Sequence, residues 1–451
     1  MKKFTVLTAA LAVMFAGCAA PQEAAEEPQE VTMTGTQKVY VTGEDWGPAV
    51  SKTIITFDKT VDAASLSADS FAVKEEREYY VDFETFATGV VEFDRTVTDV
   101  YTSDASGNKT GSDSATVTIE MAISPNEGSP FIYKLENGRN TWSDPYNLTV
   151  SLTDTAALTS EGNPVTAIEV SSSSDVAGSQ KISGALNGWN LDGKFTASDG
   201  QEYCYAEFVP EGNADTLVIW LHGGGECGSD PQITILANKV TALGSEEFQS
   251  CFNGGAYVLA PQAPAGHHWC NGSEGEVIEG VETYGNGTSM FRDSLFELID
   301  SYVRNNSAIN PEKILIGGCS AGGYMTMAQI FEHPDYFAAA FPISEAYYST
   351  YVTDEMINAV KDVPIWFTNA KNDSINPDLA TNPLIERIVK AGNTDVHHSE
   401  FEDVHDTSGL YKNEDGSAYQ YNGHWSWIYF DNNECTEGDL NEWEWLASKV
   451  N

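Results

Sequence analysis

The sequence predicts an all-β sandwich over residues 36–174 followed by an α/β domain over residues 191–451, a mostly parallel sheet covered by helices. Three observations predict it. The first half carries short, mostly alternating runs rich in β-branched residues, at 38–41, 53–57, 116–121 and 147–152, separated by polar Gly, Ser, Asp and Asn stretches. From about Lys181 the period changes, and apolar runs alternate with stretches of helical spacing. One of those runs, Ile314-Leu315-Ile316-Gly317, passes through Gly318-Cys319-Ser320-Ala321-Gly322 straight into a helical pattern.

In chain order, the N-terminus reads as a targeting segment. Met1-Lys2-Lys3 is basic and residues 4–16 are apolar but short for a membrane span. Phe15-Ala16-Gly17-Cys18 resembles a bacterial lipobox, which makes residues 1–18 a lipoprotein signal with Cys18 the lipidated residue. The alternative is an ordinary secretory signal cut near Ala19-Ala20; either way the protein is exported. Residues 19–35 form an acidic linker, Glu- and Pro-rich between Pro21 and Glu30. Within the sandwich, residues 104–112 are polar and contain Gly, without the carboxylate spacing of a calcium loop, so a hairpin tip is expected. Residues 171–179 are Ser-rich, and the linker is placed at 175–190.

In the α/β domain, strands are expected at 217–221, 257–260, 313–316, 337–341, 365–368 and 396–401. Phe291, Leu295, Leu298, Ile299, Tyr302 and Val303 fall on one helical face, as do Tyr324, Met325, Ala328 and Phe331 after Ser320. In such sheets, sites form at the C-terminal ends of strands, where Ser320 stands.

With 67 acidic against 23 basic residues the net charge is -44, which excludes a nucleic-acid partner and disfavours an anionic membrane face except through a lipid anchor. Beyond Cys18 the cysteines are Cys204, Cys227, Cys251, Cys270, Cys319 and Cys435. Export permits disulfides among them without fixing a pairing, and none has the C-x-x-C spacing of a structural zinc site.

Strand, G-x-S-x-G and helix in succession form a nucleophile elbow, which makes Ser320 a candidate nucleophile. A serine hydroxyl needs a base, and the base an orienting acid, in the chain order Ser, acid, His. His333 ends the nucleophile helix and His397 and His398 sit in a strand, which leaves His405 and His424. Asp373 follows the apolar run Pro364-Ile365-Trp366-Phe367-Thr368, where a triad acid belongs; Asp378, Asp403 and Asp406 compete with it. The oxyanion N–H groups are expected from Ala321 and from His222-Gly223-Gly224-Gly225-Glu226, a loop leaving the run at 217–221. That loop has no Lys-Ser or Lys-Thr partner for phosphate binding, and His222 is expected to hold it in shape.

His222-Gly223-Gly224-Gly225-Glu226-Cys227-Gly228, Pro261-Gln262-Ala263-Pro264, residues 318–323, Asn372-Asp373 and Gly423-His424-Trp425-Ser426-Trp427 together resemble the polyhydroxybutyrate depolymerase/feruloyl esterase-like branch of the α/β-hydrolases. Members are also labelled predicted peptidases of the prolyl oligopeptidase type. Residues 41–50 resemble the opening of the immunoglobulin-like domain found in exported bacterial esterases of this kind. The resemblance implies an immunoglobulin-like sandwich, an α/β-hydrolase domain, His424 as base, Asp373 as acid, and Gly224 and Ala321 as oxyanion donors. It implies hydrolysis of carboxylic esters, small or linked to plant polysaccharide and acyl or feruloyl, without metal or organic cofactor. Trp269, Tyr324, Trp425 and Trp427, with Tyr347 and Tyr348, are expected either to line an aromatic acyl pocket or to be core. Residues 406–421 look inserted before the catalytic His, as a lid or wall. A serine peptidase and a lipid-anchored glycan-binding protein are the alternative functions.

Overall fold

The computed structural model describes residues 29–136, 138–171, 176–178, 181–264, 268–270, 277–278, 281–283, 285–376 and 380–451. The expected signal, its lipidated Cys18, most of the acidic linker and Asp378 lie outside the described residues.

The N-terminal half is a sandwich. Its larger sheet joins β1 (Val31–Glu44), β2 (Gly47–Val61), β5 (Val97–Thr102), β6 (Ser114–Met121), β10 (Thr159–Ser160) and β11 (Asn163–Val170) in the order β10-β11-β1-β2-β6-β5. The smaller sheet is β4 (Ala87–Arg95), β3 (Phe71–Asp82) and β9 (Tyr146–Leu152), and β7 (Phe131–Lys134) pairs with β8 (Arg139–Trp142) as a hairpin. Alternation does the work in β1 and β2: Met33, Val39, Val41, Ile55 and Phe57 turn inward onto Phe71, Val73, Leu148 and Val150 of the facing sheet. β1 starts at Val31, ahead of residue 36, because its first residues pair in parallel with β11. The polar segment 104–112 connects β5 to β6, as a hairpin tip should.

β3 breaks the hydrophobic rule. Glu75 and Arg77 occupy inward positions and are buried. Glu75 holds Arg95 at 2.6 Å and Arg77 at 2.8 Å, and accepts from Tyr146 Oη at 3.1 Å. Removing one partner from such a buried pair costs about 3–5 kcal/mol, because the other charge is left uncompensated.

The C-terminal half is built on β12 (Trp189–Thr196), β13 (Glu202–Phe208), β14 (Thr216–Leu221), β15 (Ala256–Gln262), β16 (Ile314–Cys319), β17 (Ala339–Ile343), β18 (Ile365–Ala370) and β19 (Val396–Phe401). They lie in the order β12-β13-β15-β14-β16-β17-β18-β19, with β12, β13 and β15 meeting antiparallel and the rest parallel. The helices are α1 (Pro231–Leu236), α2 (Glu246–Ser250), α3 (Arg292–Asn305), α4 (Ala321–Glu332), α5 (Asp354–Ala359), α6 (Thr381–Lys390), α7 (Trp427–Asp431) and α8 (Glu442–Ser448). Two apolar layers cover the sheet. One is built around Leu217, Ile219, Ile314 and Ile316 with α3 and α4, the other around Val218, Trp220, Leu315 and Trp366 with α7 and α8. The central strands are buried on both faces, which is why they read as unbroken apolar runs.

The halves are docked. Leu236 of α1 enters the sandwich core, and Phe131 and Trp142 pack on Ile233 and Ala237. Trp142 Nε1 donates to Asp230 Oδ2 at 2.8 Å, and Lys239 Nζ meets Asp45 at 2.8 Å. Cys204, Cys251, Cys319 and Cys435 carry free thiols among the described residues. Among the described residues no helix is long and apolar enough to cross a membrane.

Candidate active site

The turn between β16 and α4 puts Ser320 at φ 54, ψ -115. A positive φ at a residue with a side chain costs about 1–3 kcal/mol and persists only where the surroundings enforce it. Here they do. The Ser320 N–H donates to Ile343 O at 2.9 Å. A Cβ on Gly318 or Gly322 would overlap the Leu221 carbonyl oxygen, and one on Gly323 would stand 2.8 Å from Glu345 Cβ. The glycines of G-x-S-x-G are therefore set by the close approach of β14, and the Gly323 that follows them by the chain at and after the end of β17. Ser320 is the N-cap of α4, yet its side chain makes no capping bond. The first N–H groups of α4, Ala321's among them, have no partner within the helix, and the helix dipole adds positive potential there.

Ser320 opens on a cavity of about 650 Å³. Ala321, Gly224 and His424 line it too, so the structure brings together the nucleophile, base and oxyanion candidates. Asp373 lies behind His424: Asp373 Oδ2 accepts from His424 Nδ1 at 2.7 Å, with the carboxylate fully buried and the ring 7% exposed. Asp373 Oδ1 accepts from the N–H groups of Ile375 at 2.8 Å and Asn376 at 2.9 Å, which fixes the carboxylate plane. Gly423 is a glycine because a Cβ there would stand 2.5 Å from Asn372 O and overlap Asn372 Oδ1. The two motifs Asn372-Asp373 and Gly423-His424 thus touch through backbone.

The other candidates lie elsewhere. His405 binds Asp403 at 2.6 Å and is absent from the cavity wall. Asp406 accepts from the backbone of Gly409 and Tyr411. His333 stacks on Phe296, His397 lies between Glu437 and Asp395, and His398 meets Asn369.

The H-G-G-G-E loop is stitched on all sides. His222 is fully buried; its Nδ1 donates to Gly223 O and its Nε2 accepts from the Ala263 N–H at 2.9 Å. Burial pushes its imidazolium down to about 4, so it stays neutral in this role. Gln262 Nε2 donates to Glu226 O at 2.8 Å and Asp230 O at 3.1 Å, which explains Pro261-Gln262-Ala263-Pro264 as the loop's support. Glu226 is 4% exposed, and burial pushes its carboxyl up to about 7 against the hydrogen bond from Asn140. Gly224 has nothing closer than His268 Cβ at 4.0 Å from an ideal Cβ, so it leaves its side of the cavity open.

For the aromatic residues the outcome divides. Trp425 and Trp427 line the cavity. Trp269 and Tyr324 do not, which corrects their assignment to a substrate pocket. Both are fully buried: Trp269 packs between Tyr203 and His222 behind the loop, and Tyr324 stacks on Tyr347 and donates to Thr288 O at 2.8 Å. They lie on the core side of the elements that carry the site. Tyr347 and Tyr348 are core as well. The insertion at 406–421 contributes no lining residue. It supports the wall from behind, with Tyr411 edge-on to Trp46 at 4.5 Å and Tyr421 6.3 Å from Trp425.

The sequence reading missed the sandwich's share. Asp45 and Trp46 from the β1–β2 turn, and Tyr133, Gly138 and Asn140 from the β7–β8 hairpin, line the same cavity, as do Asn238 and His268. Among the described residues no group of three His, Cys, Asp or Glu has metal-holding geometry.

Comparison with known proteins gives two family matches. Residues 38–166 match the esterase Ig-like N-terminal domain, and residues 283–378 match the prolyl oligopeptidase family. No curated protein matches the sequence. Among solved structures, a thermostable esterase is 22% identical and covers 88% of this chain and 96% of its own, with a TM-score of 0.67, which places the two in one fold. An S-formylglutathione hydrolase from Agrobacterium tumefaciens is 13% identical over 57% of this chain and 94% of its own, with a TM-score of 0.38. An acylaminoacyl peptidase from Pyrococcus horikoshii is 13% identical over 65% of this chain and 48% of its own, with a TM-score of 0.36.

Proposed function

We propose that this chain, an α/β-hydrolase of the prolyl oligopeptidase family with an esterase Ig-like N-terminal domain, is an exported serine esterase that cleaves carboxylic esters through an acyl-enzyme. The observation that carries the reading is the buried Asp373–His424 pair at the cavity onto which the strained Ser320 opens.

The chemistry follows from the geometry. Asp373 accepts from Nδ1, which keeps the proton on that nitrogen and leaves Nε2 as the basic lone pair. As Ser320 Oγ bonds to the ester carbonyl carbon, Nε2 takes the hydroxyl proton. Negative charge gathers on the carbonyl oxygen, where the N–H groups of Ala321 and Gly224 receive it; one such donor is worth about 10²–10³ in rate. The tetrahedral adduct expels the alcohol, which takes the proton from Nε2. Water then adds to the acyl-enzyme by the same route, giving its proton to Nε2 and releasing the carboxylic acid as Ser320 recovers its hydrogen.

The cavity supports an ester with an aromatic or sugar-like portion. Trp46, Tyr133, Trp425 and Trp427 supply ring faces, and Asn238 and Asn422 supply amide groups. Acyl or feruloyl esters of plant polysaccharide fit that wall. Export and lipid anchoring through Cys18 rest on the basic start, the apolar run and the lipobox-like Phe15-Ala16-Gly17-Cys18. The test is a panel of short-acyl and feruloyl esters beside peptide amides, on the wild type and Ser320→Ala. Ester turnover that vanishes in Ser320→Ala supports the reading; preferential amide cleavage would move it to a peptidase.

A further inference from the structure

We propose that Asn140 of the sandwich and Glu226 of the glycine loop are a positioning pair that sets the aim of the Gly224 N–H, so that the sandwich takes part in framing the oxyanion site. The inference rests on the serine-esterase reading and adds to it residues whose role no fold comparison supplies.

Planarity provides the first step. The Gly224 N–H belongs to the same peptide unit as Gly223 C=O, and in a trans peptide the two point in opposite directions. Whatever holds Gly223 O away from the cavity therefore turns the Gly224 N–H toward it. His222 Nδ1 holds that oxygen. The other end of the residue faces Glu226, whose carboxyl folds back over it. A Cβ on Gly223 would stand 2.9 Å from Glu226 Oε2, which shows how closely the carboxyl covers this peptide. Gly223 is thus held at its C=O by His222 and covered by the Glu226 carboxyl, and the Gly224 N–H has little freedom left.

Glu226 has to be held in turn. Its Oε1 accepts from Asn140 Nδ2 at 2.9 Å, across the boundary between the two domains. The hairpin that carries Asn140 lies directly on the loop: a Cβ on Gly225 would stand 3.0 Å from Asn140 Nδ2 and 3.5 Å from the Tyr133 ring. The three glycines have separate reasons. Gly223 makes room for the Glu226 carboxyl, Gly224 leaves the cavity open, and Gly225 lets the sandwich hairpin reach the loop. The acceptor is therefore met by a neutral donor and tied to both domains. A side chain there that repelled Asn140 would shift the loop by a fraction of an ångström, and misplacement on that scale is enough to cost rate rather than binding.

The test uses the full chain and a reciprocal exchange. Asn140→Asp sets a second carboxylate against Glu226; adding Glu226→Gln restores a donor–acceptor pair with the polarity reversed. The probes are a short-acyl p-nitrophenyl ester and an aryl trifluoromethyl ketone, which Ser320 Oγ adds to as an oxyanion adduct. Asn140→Asp is expected to lower kcat about 10–100-fold, below the loss of a whole oxyanion donor. KM is expected to stay within about threefold, and the ketone inhibition constant to rise in step with the loss in kcat/KM. The double variant Asn140→Asp/Glu226→Gln is expected to recover most of kcat and of ketone affinity. Thermal melting of each variant separates misfolding from misplacement. The pair is overturned if Asn140→Asp keeps kcat within twofold, or if the exchange restores nothing while both proteins melt as the wild type does. Activity that survives Ser320→Ala would instead overturn the esterase reading beneath it.

Discussion

Asp373→Asn changes one atom of a buried contact and reverses its polarity. Asp373 Oδ1 accepts from two backbone N–H groups, those of Ile375 at 2.8 Å and Asn376 at 2.9 Å. An asparagine must keep its oxygen there, since an NH₂ facing two buried donors would leave them unpaired at about 1–3 kcal/mol each. The amide nitrogen is then forced toward His424 Nδ1, where Oδ2 stood at 2.7 Å. A donor at that place makes Nδ1 the acceptor and moves the ring proton to Nε2, the nitrogen that must take the Ser320 proton. The same change in a serine protease triad lowers kcat about 10⁴-fold, which corresponds to about 5.4 kcal/mol at 1.36 kcal/mol per decade. The assay is kcat on a short-acyl p-nitrophenyl ester at pH 7.5, with thermal melting as the check on folding. The backbone contacts of Oδ1 survive, so the melting temperature is expected to move by no more than a few degrees. A variant that melts normally and keeps kcat within tenfold would refute the assignment of His424 and Asp373 as base and acid.

Two further perturbations probe the frame. Gly423→Ala places a methyl against the Asn372 side chain and 2.5 Å from the backbone oxygen Asn372 O, which cannot swing aside; separating the two loops is expected to lower kcat about 10²-fold, measured beside the melting temperature. Burial pushes the Glu442 carboxyl up to about 8. With the folded pKa above the unfolded one, the group's stabilisation is complete below about pH 4.5 and is lost as pH rises through 8, at about 1.4 kcal/mol per unit of pKa difference. Glu442→Gln does not titrate, so its melting temperature is expected to fall less than the wild type's between pH 5 and 9; parallel curves would contradict the burial argument. Glu226, at about 7, and Glu345, at about 8, keep some slope in both proteins.

The elbow and the central strands were legible because each is local, whereas His424, 51 residues from Asp373, was separated from His405 by the family resemblance. Apolar runs buried on both faces announce themselves, and the glycines at 318, 322 and 423 stand where backbones meet. Other features were illegible for identifiable reasons. β3 hides its strand character because Glu75 and Arg77 fill inward positions that hydrophobic alternation reserves for apolar side chains. β12 and β13 lie at the sheet edge and mix polar with apolar residues, so they do not resemble the buried central strands. Trp269 and Tyr324 share the neighbourhood of the site in sequence but face the core, a distinction decided by packing against Tyr203 and Tyr347. Trp46, Tyr133 and Asn140 reach the cavity from another domain, and no spacing along the chain encodes that approach. The glutamate of H-G-G-G-E was visible as a letter, but its partner Asn140 lies 86 residues away.

The central claim is that Ser320 is the nucleophile. Treating the full chain with a fluorophosphonate and mapping the modified peptide by mass spectrometry tests it most directly. The expected result is one phosphonyl group per chain on the Ser320 hydroxyl, with ester hydrolysis lost in proportion to labelling and no label on Ser320→Ala. Label on another residue, or full activity in a chain labelled at Ser320, would contradict it.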